Sequence, residues 1–322
     1  MLYYLFLTVA GFALLAWGAD RFSEGAGGTA RLLGIPPVII GLTIVAFATS
    51  APEIMFSISA ARAGLTDMAV GNAIGSNIAN VGLVLGVAAI LTPLRPDSTA
   101  TLRTETLLLL AITVAVPLLF IDHSLDRSDS LFLLAGLIAF MLMVIRSANR
   151  LPANDSITKE LAGEIPAAIG KGRALIMLLL GFAVLLGGAE ILVTGAEGLA
   201  IYFGISDVII GLTIVAIGTS LPELAVSIIS ALKGEAGIAI GSVIGSNVFN
   251  LLAVIGVAGL VGPAALDPKL LQLHYPVLLA FTLVLLRLTY NPFGKPGIGR
   301  GLGFSLLAAF LGYQAFLLST GQ

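Results

Sequence analysis

Ten stretches of about 20 mostly apolar residues, the length that crosses a bilayer core, follow one another along the chain. They lie near 2–19, 36–61, 68–92, 103–121, 130–147, 174–193, 206–231, 238–262, 273–290 and 301–319. Polar connections fall at 20–34, 93–102, 122–129, 148–173, 232–237, 263–272 and 291–300. The pattern predicts an all-α polytopic membrane protein with ten transmembrane helices. The third and eighth stretches are rich in Gly and Ala, which suits close helix packing. The longest connection, 148–173, carries Pro152, Asn154, Asp155, Lys159, Glu160 and Glu164. It divides the chain into a first transmembrane repeat over 1–147 and a second over 174–322.

The two parts repeat each other. Gly41-Leu-Thr-Ile-Val-Ala-Phe-Ala-Thr-Ser-Ala-Pro-Glu53 returns as Gly211-Leu-Thr-Ile-Val-Ala-Ile-Gly-Thr-Ser-Leu-Pro-Glu223, an offset of 170. Gly71-Asn-Ala-Ile-Gly-Ser-Asn-Ile-Ala-Asn80 returns at the same offset as Gly241-Ser-Val-Ile-Gly-Ser-Asn-Val-Phe-Asn250. Gly11, Asp20, Gly34, Gly86 and Pro93 match Gly181, Glu190, Gly204, Gly256 and Pro263 without a gap. Five spans per half is an odd number, so the second half enters the membrane in the opposite sense. Inverted repeats of this kind build secondary transporters with their site near the midplane.

The matched residues are polar ones inside oily sequence. An ionised carboxylate at the bilayer centre costs about 2.5–3.5 kcal/mol on insertion scales, so Glu53 and Glu223 are functional candidates by default. Pro52 and Pro222 lack an N–H and crowd the carbonyl four residues back, at Ala48 and Gly218. The second and seventh spans should therefore bend there, freeing carbonyls around Ala46 to Thr49 and Ala216 to Thr219. Thr49, Ser50, Thr219 and Ser220 add hydroxyl oxygens. Asn80 and Asn250 add amide oxygens, and Ser76 and Ser246, four residues earlier, share their helix face. Asn77 and Asn247 point elsewhere and read as helix–helix glue. All these ligands are hard oxygens, which suit Ca2+ with its six to eight oxygen neighbours and also Na+; soft metals want Cys, His or Met. A shared set of oxygens that binds either ion supports exchange.

Composition agrees and excludes much else. The 322 residues are 58% hydrophobic and 11% charged, with a mean hydropathy of +1.06, whereas a soluble domain is about a quarter charged. Cysteine is absent, so disulfides and thiolate metal sites are excluded. No basic run marks a nucleic-acid partner. His123 and His274 fall near span ends and read as interfacial side chains. The N-terminus lacks the positive region of a signal peptide and reads as a retained first span. If it lies outside, the inside connections hold all but Arg62, Arg127 and Lys269 of the 16 Lys and Arg. The positive-inside rule then places both termini outside and the linker in the cytoplasm of a cell inner (plasma) membrane. Asp122, Asp126 and Asp129 cluster outside, either as a solvated loop or as a weak attraction for cations.

The paired motifs resemble the α-repeats of the sodium/calcium exchanger family of cation/calcium antiporters, and the resemblance runs from the first span through the tenth. It implies that Glu53 and Glu223 centre the site. It also implies that Thr49, Ser50, Ser76, Thr219, Ser220 and Ser246, with the carbonyls of Ala46 and Ala216, ligate Na+, Ca2+ or both, with Asn80 and Asn250 the remaining polar positions. Spans one and six would form a sliding bundle across the other eight. Potassium-dependent relatives carry Asp where this chain has Asn250, so K+ independence is expected. The short linker leaves no room for the large regulatory calcium-binding domains of animal exchangers.

The expected activity is electrogenic antiport of Na+ for Ca2+ by a monomer without a cofactor, with protons as competitors and the lipid bilayer as surroundings. A Ca2+/H+ or other cation/H+ antiporter of the same fold is the alternative. An intramembrane enzyme is not expected, because neither Gly-x-Gly-Asp nor Gly-x-Ser-x-Gly occurs within a span.

Overall fold

Lipid offers no partner to a backbone polar group, so long apolar runs fold as helices, which satisfy their own. The computed structural model describes residues 1–33, 35, 37–95, 99–150, 170–203, 216–290 and 297–320. Its helices are α1 (Leu2–Leu33), α2 (Val38–Thr49), α3 (Ala51–Arg62), α4 (Thr66–Leu91), α5 (Thr99–Ala115) and α6 (Arg127–Arg150). They continue with α7 (Lys171–Tyr202), α8 (Ala216–Thr219), α9 (Leu221–Leu232), α10 (Ala236–Val261), α11 (Leu270–Thr289) and α12 (Arg300–Thr320). Among the described residues seven helices are long and apolar enough to cross a membrane, or eight if the bent pair α2–α3 is one span. The protein is integral to a membrane. Most of the expected linker and residues 206–215 of the seventh stretch lie outside the described residues.

The centre of the molecule is α10, whose whole span is buried, together with most of α4. These two helices meet through a reciprocal pair. Asn77 Nδ2 donates to the Asn247 carbonyl at 3.1 Å, and Asn247 Nδ2 donates to the Asn77 carbonyl at 3.4 Å. The helix–helix role expected of both asparagines is what the geometry shows.

At the periphery α1 and α7 run antiparallel in near backbone contact. Gly11, Gly18 and Gly25 of α1 face Leu192, Leu185 and Leu178 of α7, while Gly181, Gly188 and Gly195 face Phe22, Leu15 and Thr8. A Cβ at Gly18 would stand 2.5 Å from the Leu185 nitrogen, so only glycine admits this approach. One expectation is corrected here. Of the stretch 20–34, residues 20–33 are not a loop but the second half of α1. At 32 residues the helix measures about 48 Å, longer than a bilayer core.

The offset of 170 reappears in the backbone. Gly64 (φ 76°) and Gly234 (φ 77°) end α3 and α9 in the left-handed conformation that glycine tolerates. Five-residue π-turns occupy Asn80–Val84 and Asn250–Val254. The short strand β1 (Ser124–Leu125) pairs antiparallel with β2 (Ala264–Ala265), joining the two halves at one face, and Leu94 bridges Ile298. Asp126 and Asp129 begin α6 as a reciprocal capping box: Asp129 N–H donates to Asp126 Oδ1 at 2.9 Å, and Asp126 N–H to Asp129 Oδ2 at 3.1 Å. The Ser128 hydroxyl and the Asp129 N–H hold the Asp126 carboxyl below the usual aspartate range.

Candidate cation site

The helix joint forms as the prolines require, with its pivot two residues before Pro52. Ser50 (φ −81°, ψ 3°) separates α2 from α3, which meet at 41°. Ser220 (φ −91°, ψ 4°) makes the same joint between α8 and α9. Each proline then sits in the first turn of a new half-helix, where a missing N–H costs nothing. Each glutamate sits in that same first turn, at the positive end of the helix dipole, which favours a carboxylate. Ser50 and Ser220 hold N-cap positions, where serine hydroxyls normally accept a backbone N–H. Neither caps its helix; the Ser220 hydroxyl lacks a partner, and that of Ser50 faces the Glu223 carboxylate.

These pieces converge. Glu53 and Glu223 are almost wholly buried and close enough for the charge of Glu223 to be felt at Glu53. Thr49 Oγ1 lies 3.2 Å from Ser246 Oγ, so α2 touches α10 across the halves. Ser246 donates to Glu223 Oε1 at 3.5 Å. Both oxygens of Glu53, Oε2 of Glu223 and the Ser76 hydroxyl have no protein partner. Asn80 donates its Nδ2 to Asn247 Oδ1 at 3.0 Å, which turns its own unpartnered Oδ1 away from that bond. Asn250 has neither amide atom engaged. Thr219 is half-buried at the end of α8, and Ala216 begins that helix.

One derivation from the proline is corrected. The Ala46 carbonyl is not freed, because the Ser50 N–H still reaches it at 3.0 Å, and the Thr49 hydroxyl donates to it at 3.4 Å. Pro52 cannot donate to Ala48, yet the Ala48 carbonyl still accepts a backbone N–H at the joint. Rotation of the Thr49 hydroxyl would return one acceptor position on Ala46 to a cation.

Sequence reasoning missed three features. The π-turns begin at Asn80 and Asn250, the two amide candidates, and such turns gather at functional sites; no residue pattern announces them. Ser57 and Ser227 each lie one turn beyond a site glutamate and are fully buried, and their i+4 spacing was the available signal. Glu105 is a further buried carboxylate, in α5, and its position near a predicted span end concealed it.

The interior thus brings two buried carboxylates together with several unpartnered neutral oxygens, a donor set of hard-oxygen chemistry. Comparison with known proteins agrees. A family model described as sodium/calcium exchanger protein matches residues 3–146 and 173–319. The chain is 44% identical over 320 residues to the putative antiporter CaxA of Alkalimonas amylolytica, covering 99% of this chain and 100% of that one. It is 37% identical to the inner membrane protein YrbG of Escherichia coli strain K12, covering 97% and 95%. Among solved structures, the sodium-calcium exchanger NCX_Mj, soaked with 2.5 mM Na+ and 10 mM Sr2+, superposes with a TM-score of 0.83 at 30% identity, covering 98% of each chain.

Proposed function

The chain belongs to the sodium/calcium exchanger protein family, and from that premise we propose that it exchanges Na+ for Ca2+ by alternating access, independently of K+. One observation carries the reading: a buried glutamate from each half, with Thr49 of the first half 3.2 Å from the Ser246 that bonds Glu223 in the second, among oxygens without protein partners. Together the carboxylates offer a charge of −2, which one Ca2+ neutralises. Ser50, Ser76, Ser220, Ser246, Thr49, Thr219, Asn80, Asn250 and the carbonyls of Ala46 and Ala216 would complete a shell of six to eight oxygens or divide it among several Na+.

The coupling follows from cost. Moving a doubly charged site past an apolar barrier is expensive, so conformational change requires the carboxylates to be neutralised. Na+ and Ca2+ must therefore leave in turn. Asn250, in place of a third acid, supports K+ independence. The two segments matched by the family model fall on either side of the linker, which supports two five-span inverted repeats. The distribution of Lys and Arg supports a cytoplasmic linker and outer termini, and the likeness to an inner membrane protein supports that location.

The test is Ca2+ uptake into proteoliposomes. An outward Na+ gradient should drive it, and a pH gradient in sodium-free buffer should not. Uptake driven by the pH gradient alone would replace Na+ with H+ as the coupling ion.

A further inference from the structure

The oxygen row on α9 does not stop at Glu223. Ser227 follows one turn later and Ser230 nearly two, on the same helix face, and both are fully buried. Ser230 Oγ lies 2.9 Å from Ser23 Oγ of α1, and Ser23 Oγ lies 3.3 Å from Glu235 Oε2, where the chain turns into α10. Glu235 stands over Gly27 of α1, where a Cβ would come within 2.5 Å of its carboxylate. Beside it Lys233 Nζ reaches Asp20 Oδ1 at 2.9 Å and the Asp20 carbonyl at 2.8 Å. Hydroxyl and carboxylate oxygens thus succeed one another from the site to the end of α9, at the face where α7 begins after the linker.

Ordinary packing does not account for this row. Several buried hydroxyls elsewhere in the bundle, those of Thr106, Thr113 and Thr282, bond the carbonyl four residues back, a common resolution in a helix. Ser227 makes no such bond. Nor does the repeat require it. Ser57, the counterpart of Ser227, donates to the Val254 carbonyl at 2.9 Å. Ala60, Ala63, Val193 and Leu65 stand where Ser230, Lys233, Ser23 and Glu235 have their counterparts. The row is a feature of one face only.

We propose that this face of α9 is the path by which hard cations pass between the Glu53–Glu223 site and the linker face, with Ser227 a transient ligand, Glu235 the carboxylate at the mouth, and α1 closing the path through Ser23 and the Asp20–Lys233 pair. The proposal rests on the transport reading above. A cation leaving its site without water needs replacement oxygens at each step, and the row supplies them. The polar part of the closure is one hydroxyl pair and one partly exposed ion pair, each weak alone; beside it Ala19, Phe22 and Ala26 of α1 share an apolar cluster with Val226 of α9, which is non-directional and lets α1 slide.

The chain contains no cysteine, so single cysteines report their own access. Ser227→Cys and Ser230→Cys are checked for folding by their thermal midpoint, reconstituted, and treated from one side with a permanently cationic, membrane-impermeant methanethiosulfonate. A Ser156→Cys variant in the linker identifies the side. Both cysteines should react from the linker face, Ser227→Cys the slower and shielded by Ca2+. Adding Lys233→Ala should speed the reaction roughly two- to fivefold, the population shift expected of one partly exposed ion pair. Ala60→Cys, the counterpart position, should stay unreactive from either face. Should Ser230→Cys fail to fold, Ser227→Cys with and without Lys233→Ala carries the same test. Reaction from the opposite face, or inertness of both cysteines in folded variants, overturns the proposal. The reagent reads access and not the identity of the ions. Failure of Na+-driven uptake would refute the exchanger reading and leave this path standing, while the converse result would refute the path alone.

Discussion

Asn77, Asn80 and Asn250 show how one residue type divides between structure and chemistry within a few turns. Asn77 uses its amide to hold α4 against α10, Asn80 is pinned by its nitrogen with its oxygen unpartnered, and Asn250 is unengaged. Interhelical hydrogen bonds in membranes contribute about 0.6 kcal/mol each and at most about 1.7. Asn77→Leu should therefore lower the thermal midpoint of the purified protein while leaving its Ca2+ affinity near normal. Asn250→Ala should do the reverse, weakening Ca2+ binding with little change in midpoint. Thermal melts and equilibrium Ca2+ binding on the same samples check both. The glutamates, hydroxyls and glue asparagines were legible from helical spacing and the repeat. The pinning of Asn80 was not, because it depends on the register between two helices distant in sequence.

At the level of elements, the joints in the second and seventh spans were readable, since proline leaves a membrane helix few options. Their pivots were not, because Ser50 keeps its own backbone bond to Ala46 and moves the break past it. The long α1 was misread in its second half, where Asp20, Arg21 and Glu24 suggest a loop. These residues remain helical because their partners are local or on the α9–α10 turn: Arg21 Nη1 donates to Glu24 Oε2 at 2.9 Å, and Asp20 takes Lys233. The glycine row between α1 and α7 yields a sharp contrast. Gly18→Leu must push the helices apart, and overpacking of this kind costs about 1–3 kcal/mol or more. Exchange should be largely lost. Gly187→Leu, whose Cβ meets nothing within 4 Å, should keep near-normal uptake. Equal loss in both would remove the close approach of α1 and α7 from the mechanism.

For the whole molecule, charge decides the behaviour. The interior holds carboxylates with no Lys or Arg among the site candidates, so mobile cations must balance them. Protons bind the same oxygens, and a protonated carboxyl holds no metal ion. Ca2+ uptake should thus fall as pH falls and recover as it rises, with the Ca2+ concentration for half-maximal rate increasing at acid pH. Replacing K+ by choline on both sides should leave uptake unchanged; a requirement for K+ would show that Asn250 does not carry the meaning assigned to it. The all-helical membrane fold was legible because hydropathy and the 170-residue offset are properties of the chain alone.

Glu53 and Glu223, one from each half, are proposed to hold a single cation site shared by Na+ and Ca2+. Equilibrium 45Ca2+ binding to the purified protein, titrated with Na+, tests it most directly when the unsubstituted chain is compared with Glu53→Gln and Glu223→Gln. Saturable Ca2+ binding that Na+ displaces, lost in either folded variant, is the predicted result. Wild-type binding in either variant, or bound Ca2+ that Na+ does not displace, would contradict it.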